Sequence, residues 1–225
     1  MKKKISSDNI LTGVFYLLLA LVALISIFPI VFAFVGSFTP ENYVTQNGFT
    51  LFPKKLSLET YRYVFQSQGY KLLHAYGNSI VVTLVGTAVS VFVTVTYAYV
   101  ISVKNFKAAS KFAFFAYFTM LFNGGMLAWY LVCTKYLGLK DNLFALILPY
   151  SMNVFNMYLM RNFFKGLPYE LTESALVDGA GHITILTKII LPLAKAGIVT
   201  ITLFYALQYW NDFYLPLMLI NDDKY

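Results

Sequence analysis

Charged side chains are missing from long blocks of this chain, and their absence constrains the fold more than any other feature. A helix needs about 20 residues to cross the roughly 30 Å of hydrocarbon in a bilayer. Five blocks of about that length contain no charged residue in their interiors, except Asp212 in the last block. With 59% hydrophobic and only 12% charged residues, the composition is far from that of an ordinary soluble domain. The sequence therefore predicts an all-α, polytopic transmembrane helical bundle, with residues 1–225 forming a single domain.

The five predicted spans are residues 10–38, 72–103, 112–134, 142–162 and 194–220. The first of them has a possible alternative, a secretory signal peptide, because lysines precede it. The apolar core of a signal peptide is usually shorter and ends at a small-residue cleavage site, whereas this run continues through Phe34. We therefore expect an uncleaved first helix.

Basic residues set the expected orientation, because short cytoplasmic loops carry an excess of lysine and arginine. With the N-terminus inside, the cytoplasmic segments 1–8, 104–111 and 161–195 hold ten of the seventeen basic residues. We therefore predict a cytoplasmic N-terminus. The same lysines account for the net charge of +7, so the charge does not call for a nucleic-acid partner.

The segment 165–192 is the one long polar-bearing stretch between two predicted spans near the C-terminal end. Pro168 fits the first turn of a helix, and Glu170 and Glu173 place negative charge near the positive end of the helix dipole. Glycines at 179 and 181 predict the end of this helix and a sharp bend, followed by a second helix from about Ile183. Such a bent pair could dock into a cleft on a soluble partner, or it could lie as an amphipathic hairpin on lipid headgroups.

At these residues the chain resembles the EAA loop of binding-protein-dependent ABC importer permeases. The matching elements are Glu173-Ser174-Ala175, three further residues and Gly179, and then Ile189-Ile190-Leu191-Pro192, with serine where the family usually has alanine. Leu167-Pro168-Tyr169-Glu170-Leu171, Val177-Asp178-Gly179-Ala180, Phe122-Asn123-Gly124-Gly125 and Tyr209-Trp210-Asn211-Asp212 look like further signatures of the carbohydrate-importer branch. This branch includes a maltose-permease-like subgroup that imports complex oligosaccharides.

The resemblance implies a type I ABC importer permease fold in a bacterial plasma membrane, and a role in ATP-driven carbohydrate import. It implies a second permease subunit, two cytoplasmic ATPase subunits that bind ATP and Mg²⁺, and an external solute-binding lipoprotein as partners. Glu173 would pair with a basic residue of the ATPase, Ala175 and Ala180 would allow close packing, and Gly179 would make the bend. The implied ATPase-coupling residues are Leu171, Glu173, Ser174, Ala175, Asp178, Gly179, Ala180, Gly181 and Pro192. Family members have six spans, so we expect a sixth span that this chain lacks.

Polar residues inside the predicted spans have two interpretations. They could line a pathway for sugar, since hydroxyl-rich ligands need amides and carboxylates, or they could tie helices together. The candidate pathway residues are Asn123, Asn153, Asn156, Trp210, Asn211 and Asp212. Aromatic residues near them could stack on sugar rings or anchor helix ends at the membrane interface, namely Trp129, Tyr130, Tyr205, Tyr209 and Trp210. Asn123, with the glycines that follow it, also predicts a kink in the third span.

No pattern in the sequence indicates catalysis or a bound cofactor. The chain has no phosphate-binding glycine loop, no HExxH and no plausible nucleophile–base arrangement, and a lone Cys133 excludes a cysteine-based metal site. We therefore expect a protein that is not an enzyme and holds no cofactor or metal itself. Two alternatives to a sugar permease remain at this point: an ABC permease for another solute, and an ion-coupled secondary transporter with Asp212 as its ion site.

Overall fold

The computed structural model describes residues 7–221, with side chains from residue 11 onward, and the described chain is all-α without β-strands. The α-helices are α1 (Ser7–Ser37), α2 (Glu41–Asn47), α3 (Glu59–Ser67), α4 (Gly69–Val100), α5 (Ala109–Leu121), α6 (Gly125–Leu131), α7 (Leu143–Ile147), α8 (Val154–Lys165), α9 (Glu170–Val177), α10 (His182–Ile185), α11 (Leu191–Leu193), α12 (Lys195–Trp210) and α13 (Tyr214–Leu219). The predicted all-α class is confirmed. The N-terminal lysines used to predict orientation lie outside the described residues. The chain divides into two compact units, residues 1–72 and 73–225.

In the first unit, α1 is apolar on every side. Its 31 residues make a helix about 46 Å long at 1.5 Å per residue. Side chains from Leu11 to Ile30 are all exposed, as expected of a helix whose surroundings are hydrocarbon or other helices. Within this unit the turns that follow α1 contact its C-terminal end.

Those turns cover the end of α1 with matched polar and aromatic contacts. The Ser57 amide donates to the Phe38 carbonyl at 2.7 Å, and the Ser37 and Tyr61 hydroxyls lie 2.8 Å apart. The Phe38 and Tyr61 rings pack with centroids 5.2 Å apart. Two short helices, α2 and α3, lie in this segment.

The second unit contains most of the long helix α4 and three helix pairs that are bent at short breaks. Residues 109–121 and 125–136 meet at 116°, residues 143–150 and 154–165 at 52°, and residues 182–193 and 195–210 at 84°. Among the described residues, α1 and α4 are long and apolar enough to cross a membrane, and the number of spans rises to as many as five if each bent pair is one span. The kink expected near Asn123 is present. The break at 211–213 separates α12 from α13 within the predicted span 194–220.

The break between α7 and α8 frees backbone groups that would be bonded in a continuous helix. The Ser151 amide donates to the Leu148 carbonyl, three residues back, which leaves the Ile147 carbonyl without its usual partner. Asn153 has an extended backbone, so its amide also points away from the helix. In an apolar interior each unpaired group of this kind would cost several kcal/mol.

Two buried tyrosines of α12 satisfy these freed groups. The Tyr209 hydroxyl donates to the Ile147 carbonyl at 2.8 Å and lies 2.9 Å from the Ser90 hydroxyl of α4. The Tyr205 hydroxyl accepts from the Asn153 amide at 2.9 Å and lies 2.6 Å from the Thr94 hydroxyl. Tyrosines 205 and 209 therefore join α4, α12 and the break into one core.

Glycines allow the close helix approaches in this core. A Cβ on Gly86 of α4 would lie 2.7 Å from the Tyr209 ring, and a Cβ on Gly197 of α12 would lie 2.6 Å from the Phe163 ring. Real carbon atoms do not approach so closely, so neither position has room for alanine. Small residues serve the same purpose at many helix interfaces in membranes.

We expect Gly86→Ala to destabilise the protein, because the added methyl group would push the Tyr209 ring away from its hydrogen-bond partners. The cost should be about 2 kcal/mol, as for other overpacked cores. Thermal unfolding of the purified protein in detergent would measure it as a lower midpoint temperature.

Gly77→Ala is the matched control, since Gly77 lies in the same helix with no atom within 4 Å of the added Cβ. Alanine favours helix over glycine, so this variant should be as stable as the original or more stable. Equal midpoints for the two variants would contradict the close packing described at Gly86.

Candidate functional site

The segment predicted to couple to an ATPase forms two short helices that meet at a sharp bend. Helix α9 ends at Val177, and Gly179 has φ +79°, a conformation that glycine adopts at little cost. The Gly179 amide donates to the Leu176 carbonyl at 3.0 Å, and the Ala180 amide donates to the Ala175 carbonyl at 2.9 Å. These two bonds form a Schellman motif, which ends α9 with its last carbonyls satisfied. The bend expected at 179–181 is therefore present and rigidly built.

One face of this bent segment is fixed in the core of the second unit. Ala175 and Ile185 are buried, and they pack in one cluster with Met157 and Met160 of α8. The Tyr99 hydroxyl of α4 donates to the His182 carbonyl at 3.3 Å. The small Ala175 side chain is thus used for packing within the chain itself. The segment cannot shift far without moving the helices that hold it.

The opposite face of the segment is open to solvent. Glu173 and Asp178 are exposed, as are Val177 at 84% and Ile183 at 80%. Val177 and Ile183 flank the bend, so an apolar tip stands next to the exposed carboxylates. Neither residue is among the predicted coupling residues. Val177 lies two residues after the buried Ala175, on the other side of the helix, and this offset was the available signal.

The other predicted coupling residues have positions consistent with a helix–turn–helix. Ser174 donates its hydroxyl proton to the Glu170 carbonyl at 2.9 Å, and Leu171 is partly exposed at 40%. Gly181 has an extended backbone immediately before α10. Between α10 and α11, residues 186–190 form a π-helical turn that leads to the exposed Pro192.

Most of the predicted pathway residues bond to nearby backbone. Asn123 accepts from the Gly125 amide at 2.9 Å, Asn153 accepts from the Asn156 amide at 3.2 Å, and Asn211 donates to the Leu207 carbonyl at 2.8 Å. These contacts stabilise helix ends at the breaks. Trp210 is half exposed.

Asp212 is the one acidic pathway candidate, and it also has local partners. Its carboxylate accepts from the Tyr214 amide at 3.1 Å and from the Leu215 amide at 3.3 Å, at the start of α13. The Tyr150 hydroxyl donates to it at 3.3 Å, and the Tyr150 ring lies 6.2 Å from that of Tyr209. Asp212 and Asn153 are thereby connected to the same tyrosine core, whereas Asn156 is buried in α8.

Metal binding has no support in the described part of the chain. Between residues 7 and 221, no three His, Cys, Asp or Glu side chains come together in a way that could hold a metal ion. Cys133 is buried as a free thiol.

Comparison with known proteins agrees with the resemblance drawn from the sequence. Residues 1–224 match the family described as binding-protein-dependent transport system inner membrane component. Protein LplC of Bacillus subtilis (strain 168) is 44% identical over 201 residues, which cover 89% of this chain and 67% of that protein. The polygalacturonan/rhamnogalacturonan transport system permease protein YtcP of the same strain is 41% identical over 208 residues, covering 92% of this chain and 71% of that protein.

A solved structure shares the fold along the whole chain. In the crystal structure of a bacterial ABC transporter involved in the import of the acidic polysaccharide alginate, one chain superposes with a TM-score of 0.87 at 32% identity. The match covers 100% of this chain and 79% of that one. It confirms the predicted permease fold, and the family comprises transport components of the membrane and not enzymes. The chain therefore belongs to the binding-protein-dependent transport system inner membrane components, the permease subunits of ABC importers.

Proposed function

We propose that this chain imports carbohydrate, and specifically oligosaccharide, as the permease subunit of an ATP-driven importer. The names of the similar proteins support a saccharide, since one is a polygalacturonan/rhamnogalacturonan permease and another belongs to an alginate importer. The segment 165–192 transmits the movement of the ATPase to the membrane helices. An ion-coupled mechanism is less favoured, because Asp212, its candidate ion site, accepts hydrogen bonds from backbone amides at the start of α13. The alternative is a non-sugar solute. A transport assay in which labelled saccharides are not taken up would favour that alternative.

The observation that carries this proposal is the two-sided build of the bent segment. One face is anchored in the core through Ala175 and Ile185, while the other presents Glu173 and an apolar tip at Val177 and Ile183. Exposed apolar side chains next to a carboxylate suit docking into a groove with a basic residue on a soluble protein. A hairpin lying on lipid would instead hold its carboxylates against anionic headgroups, which is unfavourable.

The complete transporter contains further subunits in this proposal. A second permease subunit pairs with this chain, two cytoplasmic ATPase subunits hold ATP and Mg²⁺, and an external solute-binding lipoprotein delivers the saccharide. This chain itself binds no cofactor. The N-terminus is cytoplasmic, which places the bent segment and the loop 104–111 on the ATPase side of the bacterial plasma membrane.

Glu173→Ala should uncouple the transporter without unfolding it, because Glu173 is exposed and its side chain lies away from the core. Loss of one charged contact at a docking surface should reduce binding-protein-stimulated ATPase activity about tenfold or more. The assay uses the assembled complex in proteoliposomes, with binding protein and saccharide added.

The control for this variant is Glu59→Ala, which removes an exposed carboxylate from the start of α3 in the other unit. It should keep stimulated activity. Undiminished stimulation in the Glu173→Ala complex would remove the basis for the coupling role.

Gly179→Pro should have a stronger effect than Glu173→Ala. Proline fixes φ near −65°, whereas this position has φ +79°, and it deletes the amide that bonds to the Leu176 carbonyl. The backbone of the bend would have to change its conformation. The complex should therefore lose stimulated ATPase activity, and its ATPase subunits should dissociate on purification. Retention of both would show that the bend is not needed for docking.

Single cysteines would test the proposed orientation in a Cys133→Ser background. Lys107→Cys should react with a membrane-impermeant maleimide only after the cells are permeabilised, because its loop is cytoplasmic. Lys54→Cys lies in a loop on the other side and should react in intact cells. The reverse pattern would invert the topology and contradict the placement of the bent segment.

A further inference from the structure

A cavity of about 1170 Å³ lies beside the bent segment, within the second unit. Its walls come from the chain that follows α4, from the end of α8 and from α9. Tyr169, Thr172 and Leu176 of the α9 region form one side. Anything bound in this cavity would therefore touch the helix that carries Glu173.

The lining of this cavity is strongly basic. Four of its residues are cations, namely Lys104, Lys107, Arg161 and Lys165, and none is an aspartate or glutamate. In the part of the chain that the structure describes, no salt bridge pairs any of these four with a carboxylate. Four unneutralised positive charges around one cavity repel each other and favour an anion between them.

Two of the cations are held in position by neighbouring groups. Arg161 donates from Nε to the Ile101 carbonyl at 3.4 Å, and Lys104 places its ammonium group 4.6 Å from the centre of the Tyr169 ring. These contacts leave the remaining guanidinium and ammonium protons available. Lysine and arginine arranged in this way are the usual partners of phosphate oxygens.

Apolar residues form another part of the wall, which continues from the end of α4. Val100 is the last residue of α4, and Val103, Phe106 and Phe164 also line the cavity. A cavity lined by both cations and apolar side chains fits a headgroup phosphate together with the first carbons of its lipid. Basic pockets at the cytoplasmic ends of membrane helices bind anionic headgroups in this manner.

We propose that this cavity is a binding site for a phosphate group, supplied by an anionic phospholipid of the cytoplasmic leaflet. The assignment to the cytoplasmic leaflet rests on the orientation given under the proposed function. An occupied site would reduce the repulsion among the four cations and contact α9, so that anionic lipid would stabilise the coupling segment. A soluble phosphate compound carries the same chemistry, and the test below separates the two sources.

The test uses the assembled complex in nanodiscs, either of phosphatidylcholine alone or of phosphatidylcholine mixed with phosphatidylglycerol. Native mass spectrometry after release into detergent counts the phosphatidylglycerol molecules retained. The altered complex carries Lys104→Gln and Lys107→Gln, both at exposed positions. Its retention of phosphatidylglycerol should fall about 30-fold, which corresponds to about 1 kcal/mol for each charge removed.

The matched control carries Lys111→Gln and Lys195→Gln, which remove two exposed charges outside the cavity on the same proposed side of the membrane. It should retain phosphatidylglycerol like the original, and a Lys104→Arg, Lys107→Arg complex should do so too. Equal loss in the cavity and control variants would overturn the site, since it would show attraction by surface charge alone. Equal retention in the original and in the Lys104→Gln, Lys107→Gln complex would rule out lipid as the source of the phosphate, and the site itself would be overturned if glycerol phosphate then failed to bind.

A second arm adds glycerol phosphate to complexes in pure phosphatidylcholine and measures binding by calorimetry. Saturable binding that the Lys104→Gln, Lys107→Gln variant loses would support the phosphate site and assign it to a soluble ligand, provided that the lipid arm shows no preference. Lipid retention and calorimetry do not depend on transport, so a failed transport assay would leave this result independent.

Discussion

Backbone groups that leave a helix inside a membrane must find partners within the protein, and this requirement organises the second unit. The chain breaks between α7 and α8, and the Ile147 carbonyl and the Asn153 amide lose their helical partners there. Tyr205 and Tyr209 supply hydroxyls to both. Being four residues apart, they lie on one face of α12 and are separated by about one turn. The spacing of two tyrosines on one helix therefore matches the two ends of a break on another.

Packing contacts connect the bent segment at the surface to the helices that carry the buried tyrosines. Helix α8 begins at the break and ends just before the bent segment, and α12 follows that segment along the chain. Ala175 and Ile185 pack against α8, while Phe163 of α8 packs on Gly197 of α12. Densely packed cores transmit displacement and do not absorb it. A push on the exposed side of α9 would therefore reach the tyrosines through α8 and α12 together.

The sequence revealed what depends on local pattern and missed what depends on pairing. The absence of charge predicted the apolar helices, and glycine at 179 predicted the bend, because both effects act over a few neighbouring residues. Tyr205 and Tyr209 were interpreted as sugar-stacking or interfacial residues, since nothing near them in the sequence shows that a distant break needs their hydroxyls. Asn123 and Asp212, which are predicted pathway residues, both accept hydrogen bonds from backbone two or three residues away, and Asp212 also accepts one from the Tyr150 hydroxyl. A polar residue in an apolar stretch can serve its own helix end, and composition alone does not distinguish that use from ligand binding.

The length of α1 has a consequence for the surrounding bilayer. Its apolar stretch from Leu11 to Ser37 contains 27 residues, or about 40 Å of helix, against a hydrocarbon thickness of roughly 30 Å. This surplus is a hydrophobic mismatch, which a helix relieves by tilting or by thickening the lipid around it. Because the side chains from Leu11 to Ile30 are exposed, little within the first unit restricts the tilt of this helix. The thickness of the host membrane, or a neighbouring subunit, would therefore determine the angle at which this helix crosses.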